Sequence, residues 1–595
     1  MASGTGVPQN QIDPNNVPSG PVFVPRRDAG TAIVLSGGGA KGDFEVGAVR
    51  CLYDHGITPK ILCGTSVGSI NALKLAEGET GADLGAPQNH VRGLKGLEKI
   101  WLSLNTDKDM WSLEAGAAQL FAAIPNIQAD INTVEAQLPG LVSAGIGGAI
   151  ASFLGAPFIL AFAPALADAG GLSAPVSDLI ANAMTVIKDA GNIQGLANYD
   201  PLEALMRQGV NYFPPHQQAS GIALRLAMVA LEDGALRYVT EHNQMIERDQ
   251  KITKVMTPAT PAQIAALKAQ AAALQAQIDD LMAENDPLPN EVKHPNKPKN
   301  GQLIAKLKTQ LAAIKAAIVR DSVPFDLIRA AIASSSLPVI CRPTVMQDGK
   351  TYIDGGIRTL APIQVAIDMG STNVYAIAAG TRKFDAKSID QITGGTPLPL
   401  LGIALRVGEE ILPDEVGRRD LFPDNPWPVP VTVIQPDPSL DDIHDGLTIE
   451  PGLVRIRMAY GFMRAYDTLR AAEKFIPSFQ AFAAQENSVK GKTLAIVNLR
   501  KQIWDAEFPA NGKQIDFPAS MLPPAPYTVT DVAVDPAKHA LVKTLKGQLK
   551  ALIDARIAYY ADPKAKIDGA KSLPADFATW STAWEKHGWT PTQAL

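Results

Sequence analysis

The chain has 595 residues, a formal net charge of −6, 46% apolar and 19% charged residues, and a sequence pI near 5.8. This composition is globular rather than disordered or fibrous, the length calls for about two to four structural units, and no basic segment recommends nucleic-acid binding. The three cysteines (Cys51, Cys63 and Cys341) cannot build a disulfide framework and lack metal-ligand spacing, and the eight histidines include no H-E-x-x-H.

Residues 1–29 carry neither a basic n-region nor an apolar h-region, so no cleavable signal peptide is expected. They read as a flexible arm, and the expected residence is cytoplasmic, with peripheral attachment to a membrane. Ala32–Leu35 is a short apolar strand running into glycines. Phe44, Val46, Val49 and Leu52 then share one face of a helix that Gly56 stops. Ile61–Cys63 reads as a second strand, and VGSINALKLAEG as a second helix. Strand, helix, strand, helix within about fifty residues argues for a mostly parallel sheet covered on both faces.

Residues 113–197 form an apolar insertion expected to be helical. Between Glu135 and Asp168 run 32 residues without a charge, a length that meets the threshold for a membrane span. Internal Gly and Pro, and the lack of flanking basic anchors, favour buried helices or a lipid-facing surface around 141–167 over a span. Further on, Ile264, Leu267, Ala271, Leu274, Ile278 and Leu281 recur at heptad spacing. The stripe returns at Ile304, Leu307, Leu311, Ile314 and Ile318. Residues 260–320 therefore read as a helical hairpin packed seam to seam, a structural arm or a contact for a second copy or protein partner. Val374–Ala379 and residues 429–440 are the remaining core strands, and a helix follows from Gly452. Residues 471–595 read as an extension without assignable chemistry. The organisation expected is thus an arm (1–29), a catalytic unit (30–470) with insertions at 113–197 and 260–320, and the extension.

Gly37, Gly39 and Gly42 match G-x-G-x-x-G after a strand, which serves either a dinucleotide or a negative charge that forms during catalysis. A dinucleotide site needs an acid at the end of the next strand. Cys63, Gly64 and Thr65 stand there instead, and Lys41 is followed by Gly42 rather than the Ser or Thr of a phosphate-binding P-loop. What the strand does lead into is Gly64-Thr65-Ser66-Val67-Gly68, a G-x-S-x-G between strand and helix. Such a turn lifts the serine hydroxyl out of the sheet, and Gly64 and Gly68 give it room. A serine needs a base. His216, His444, His539 and His587 are not convincingly placed for that, whereas Asp354 follows the apolar Tyr352-Ile353 and meets the tight Gly355-Gly356 turn. An Asx-type turn is the alternative reading of that aspartate.

GGGAKG (Gly37–Gly42), GTSVG (Gly64–Gly68) and DGG (Asp354–Gly356), in this order, resemble the patatin-like phospholipases. The resemblance spans roughly Ala32–Ser69 and Val323–Gly380, including ASSSLP (Ala333–Pro338). It implies a three-layer α/β/α core and a Ser–Asp dyad that hydrolyses acyl esters of lipids without metal or cofactor. Carried over, Ser66 is the nucleophile, Asp354 the general base, and the N–H groups of Gly37, Gly38 and Gly39 the oxyanion hole. Lys41, Gly42, Gly64, Gly68, Gly355 and Gly356 are supporting motif positions. The implied partners are a lipid substrate, expected to be a phospholipid or lysophospholipid, and a membrane surface. The alternatives are a neutral acylglycerol or small ester, or a non-catalytic scaffold. Headgroup preference is assigned to Lys41, Arg342 or Arg358. Two features depart from the family: 287 residues separate Ser66 from Asp354, and RTLAP follows Ile357.

Overall fold

The computed structural model describes residues 30–79, 90–104, 106–114, 195–208, 212–249, 251–256, 261–285, 297–322, 325–338, 340–380, 411–436, 451–471 and 489–507, with residues 86, 407 and 449 and parts of 540–555. The arm at 1–29, the charge-free stretch around 141–167 and most of 471–595 lie outside these residues.

The first half of the chain lays down β1 (Gly30–Leu35), α1 (Gly42–Asp54), β2 (Ile61–Thr65), α2 (Val67–Leu75) and α3 (Gly93–Ser103). A two-residue pair, β3 (Ser112–Leu113) with β4 (Ala197–Asn198), closes the ends of the 113–197 insertion against each other. Then come α4 (Asp200–Arg207), α5 (Pro214–Ala219) and a meander of β5 (Ala223–Ala230), β6 (Leu236–Thr240), β7 (Met245–Asp249) and β8 (Lys251–Met256). The second half holds α6 (Pro261–Asn285), α7 (Lys297–Ser322), α8 (Leu327–Ser335), β9 (Thr344–Val345), β10 (Thr351–Asp354) and α9 (Ile363–Asp368). It ends with β11 (Ser371–Ile377), α10 (Leu412–Leu421), β12 (Val431–Ile434), α11 (Pro451–Ala471) and α12 (Val489–Glu507).

The main sheet runs in the order β12-β11-β1-β2-β5-β6-β7-β8, with β10 paired to both β5 and β9. From β12 to β5 every neighbour is parallel. From β5 to β8 the strands are antiparallel. The parallel strands are apolar on both faces because helices cover both. Ile33, Leu35 and Leu62 join one large core with residues of α1, α2, α8 and α11, while Ala32, Val34 and Cys63 face a smaller core that includes Ile363, Ala366 and Leu421. Three layers, α/β/α, result. Ile496 and Ile503 of α12 belong to the larger core, so this part of the C-terminal stretch packs with the sheet domain.

Helices α6 and α7 lie side by side, with Ile278, Leu307 and Leu311 buried between them and Ala271, Leu274, Leu281 and Ile304 packed around that seam. Most of their other described side chains are exposed. Among the described residues, no helix is long and apolar enough to cross a membrane.

Candidate active site

Strand β5 is the ruler of the site. It pairs with β2 along its first half and with β10 along its second, so that Thr65 lies opposite Ala227 and Asp354 opposite Met228. Two consecutive residues of one strand thereby bring Ser66, which follows Thr65, beside Asp354. Ser66 takes φ +54° and ψ −131°, a conformation rare for a residue with a side chain, at the head of α2. The turn closes only because its flanks are glycines. A Cβ on Gly64 would stand 2.3 Å from the Gly68 carbonyl oxygen, and one on Gly68 would stand 2.4 Å from that of Leu35.

The Ser66 hydroxyl lies beside the Asp354 carboxylate, close enough to favour its ionised form. That carboxylate also caps the single 3-10 turn Gly355–Ile357, where the Gly356 N–H donates to Oδ1 at 2.6 Å. Burial pushes the carboxyl from 3.8 up to about 6, against the pull of the neighbouring Ser66 hydroxyl and of the Gly356 N–H. The carboxylate is therefore a stronger base than a free aspartate, yet still ionised near neutrality. His216 is not part of this arrangement. It sits on α5 in a buried cluster with Glu77 and His90, whose ligand atoms all lie within 4.8 Å. Three donors already hold Glu77: the Lys74 ammonium at 2.8 Å, His90 Nε2 at 2.7 Å and the Phe213 N–H at 2.7 Å. The lysine supplies the positive charge that a cation would bring. His444, His539 and His587 lie outside the described residues.

The glycine loop between β1 and α1 passes over Ser66. Its Ser36 is tied down four ways: the N–H donates to Ile377 O at 3.0 Å, the carbonyl accepts from the Gly68 N–H at 3.2 Å, the hydroxyl donates to Gly37 O at 2.9 Å, and the hydroxyl oxygen accepts from Ala379 N at 2.9 Å. At Gly37 the structure departs from the sequence expectation, because the Gly37 N–H already donates to Leu360 O at 3.2 Å. The N–H groups of Gly38 and Gly39 have no such acceptor among the described residues. Leu360 is itself fixed by Asp420 of α10, whose Oδ2 accepts from Thr359 Oγ1, Leu360 N and Ala361 N at 2.8–3.2 Å. On the other side, Arg457 of α11 donates through Nε to Asp43 at 2.8 Å and through Nη2 to Ala40 O at 3.2 Å. Burial raises Asp43 to about 7 despite the arginine, and raises Glu45 well above the usual carboxylate range. Gly42 packs on α2, where an added Cβ would meet Val67 Cγ2 at 2.3 Å.

A small cleft opens beside Ser66 along the glycine loop, walled by Ile70, Met110, Trp111, Tyr199 and Ile449. Its surface is mostly apolar, with Ser66 and Ser335 as the hydroxyl-bearing lining residues apart from Tyr199, the character of a pocket for an aliphatic chain. Of the three cationic candidates, Arg342 is engaged by Glu114 at 3.0 Å and Asp200 at 2.8 Å. Arg358 is exposed two residues beyond Gly356, and Lys41 is half-buried at the end of the 3-10 turn Gly39–Lys41. Asp420 and Arg457 were not legible as site residues, since each acts across a long sequence separation on a loop that says nothing of it. Ser334, within ASSSLP, was visible only as a small residue, and its Oγ accepts the Ser66 N–H at 2.9 Å.

The profile of the Patatin family (Patatin-like phospholipase) matches residues 33–367. Among curated proteins, the triacylglycerol lipase ptl3 of Schizosaccharomyces pombe is 46% identical over 46 residues, 8% of this chain and 10% of that protein. The triacylglycerol lipase SDP1L of Arabidopsis thaliana is 48% identical over 40 residues, 7% of this chain and 5% of that protein. The matched stretch thus spans a tenth or less of the length of these relatives. Among solved structures, the crystal structure of VipD from Legionella pneumophila aligns over 94% of this chain and 91% of that one, at 13% identity and a TM-score of 0.26.

Proposed function

Since the chain belongs to the patatin-like phospholipase family, we propose that it is a serine acyl hydrolase that cleaves fatty-acyl esters of phospholipids or lysophospholipids. The observation that carries this reading is the register of β5, which sets Ser66, on its strained turn, beside the buried Asp354 carboxylate. In this mechanism Asp354 takes the hydroxyl proton while Ser66 Oγ attacks the acyl carbonyl carbon. The carbonyl oxygen, now negative, accepts hydrogen bonds from the N–H groups of Gly38 and Gly39, and Gly37 serves by holding the loop on Leu360. Asp354 returns the proton to the departing alcohol oxygen as the ester C–O bond breaks, leaving the acyl group on Ser66. Water, deprotonated by the same carboxylate, attacks the acyl-enzyme and releases the fatty acid. The apolar cleft beside Ser66 takes the acyl chain. Arg358 and Lys41 remain the candidates for a phosphate-bearing headgroup, and Arg342 is set aside because two carboxylates already hold it.

A second substrate reading, a neutral acylglycerol, is favoured by the names of the two curated relatives, both triacylglycerol lipases. A hydrolysis screen of the purified chain separates the two. Phospholipid, lysophospholipid, triacylglycerol and p-nitrophenyl esters are compared, with Ser66→Ala as the control. Preference for the phosphate-bearing substrates supports the first reading, exclusive cleavage of triacylglycerol supports the second, and activity retained in Ser66→Ala overturns both. Attachment to a lipid surface and a partner contact through the α6–α7 hairpin are part of the same proposal.

A further inference from the structure

The two members of the dyad come from strands that are not hydrogen-bonded to each other, since β2 and β10 both pair with β5. We propose that the end of α8 holds them in register, and that Ser334 is a positioning residue for the nucleophile. This rests on the hydrolase reading above.

Three serines stand in a row at that helix end, and their hydroxyls do different things. Ser335 Oγ donates back to Ala331 O at 3.0 Å, and Ser336 Oγ donates back to Ile332 O at 2.9 Å. Both bonds run back to helix carbonyls, and Ser336 Oγ also lies 3.2 Å from Thr344 Oγ1 of β9. Ser334 Oγ turns outward and is wholly buried. It donates to Ala227 O on β5, accepts the Ser66 N–H at 2.9 Å, and lies 2.7 Å from Ser69 Oγ. A hydroxyl has one proton and two lone pairs. With its proton on Ala227 O, Ser334 accepts the Ser66 N–H, and the single Ser69 proton is shared between Ser334 Oγ and Gly64 O at 2.8 Å. One oxygen thus ties the strained turn at Ser66 to the strand residue opposite Thr65. Two residues later the carbonyl of Ser336 accepts the Asp354 N–H at 2.9 Å. A span of three residues therefore binds the backbone of the nucleophile at one end and that of the base at the other.

The Ser66 N–H has no other acceptor among the described residues. Removing the Ser334 hydroxyl leaves that donor buried and unmet, and the turn is free to relax away from φ +54°. The hydroxyl of Ser66 then loses its alignment with Asp354, while the acyl cleft is untouched. The expected signature is a loss in kcat at constant KM.

The test compares full-length wild type, Ser334→Ala and Ser334→Thr on p-nitrophenyl butyrate, with active sites counted by a fluorophosphonate probe and folding followed by circular dichroism. Ser334→Ala should lose roughly 10- to 100-fold in kcat per titrated site, the range set by one unsatisfied hydrogen bond, with KM within about twofold. Ser334→Thr keeps the accepting oxygen and should recover most of that loss. Unchanged kcat per site in Ser334→Ala, or a loss that shows only as fewer titratable sites, overturns the proposal and leaves the hydrolase reading intact. Wild type that neither turns over nor takes the probe overturns both.

Discussion

Replacing Asp354 with asparagine should move activity and stability in opposite directions. The carboxyl is 4% exposed, and burial raises it from 3.8 to about 6. A group raised in this way binds its proton more tightly in the folded chain. Its favourable contribution is complete below pH 3.8 and is lost as pH rises through about 6. At pH 8 the carboxylate is ionised in both states, and keeping it so inside the fold costs about 3 kcal/mol. Asparagine is nearly isosteric, its amide oxygen can still accept from the Gly356 N–H, and it carries no charge. Asp354→Asn should therefore be more stable than wild type at pH 8, by up to about 3 kcal/mol, with the advantage gone by pH 4. Because wild type and variant are compared at the same pH and both carry Asp43 and Glu45, the titration of those two groups cancels in the difference. In the same variant, hydrolysis of p-nitrophenyl butyrate should fall by roughly two to four orders of magnitude, since an amide cannot take the Ser66 proton. Thermal midpoints from intrinsic fluorescence at pH 4, 6 and 8, alongside initial rates, give both quantities. Activity within tenfold of wild type, or lower stability at pH 8, would refute the reasoning, because a carboxylate held for structure loses both together.

For wild type, kcat/KM should fall about tenfold per pH unit below an acid limb near pH 6, as Asp354 takes up a proton; a limb near pH 4 would mean that the base is a solvated carboxylate. Gly68→Ala should destabilise the domain by about 3 kcal/mol or more, since its Cβ would stand 2.4 Å from the Leu35 carbonyl oxygen, a backbone atom that cannot step aside; denaturant unfolding checks this, and a change under about 1 kcal/mol would show that the turn is looser than it looks. Replacing residues 260–320 with a short Gly/Ser linker should leave kcat on a soluble ester within about threefold, because the hairpin seals its own seam. Loss of activity in a folded, monomeric deletion variant would show that the arm shapes the site.

The proposed dyad could be put forward from the chain because its parts are local. GTSVG and DGG each sit where a strand meets a turn, and strand, turn and helix all announce themselves within ten residues. What the chain does not announce is how those two places come together. The register of β5 against β2 and β10 is a long-range property, and ALRLAMVA, buried along its whole length, is an apolar run that suits a buried helix as well as a strand. The antiparallel meander from β5 to β8 went unread for that reason. The Gly37 N–H was misplaced for a similar one: the Leu360 carbonyl that claims it lies 323 positions away, on a loop held by Asp420. The bond between Arg457 and Asp43 spans 414 positions. An aspartate after GGGAKG suggests a helix start, and only the approach of α11 makes it an ion pair. The heptad seam, by contrast, is written in a 3,4 spacing that any two helices would satisfy mutually, so its packing follows from local pattern alone.

The central claim is that Ser66 becomes acylated, and the most direct measurement is the site of covalent capture. The purified chain is treated with a fluorophosphonate that mimics the tetrahedral intermediate, digested, and mapped by mass spectrometry, with Ser66→Ala and Asp354→Asn treated alongside. The expected result is one adduct per chain on the peptide carrying Ser66, none in Ser66→Ala, and labelling in Asp354→Asn slowed in step with its hydrolysis. Inactivation with the adduct on any other residue, or hydrolysis undiminished in Ser66→Ala, would contradict it.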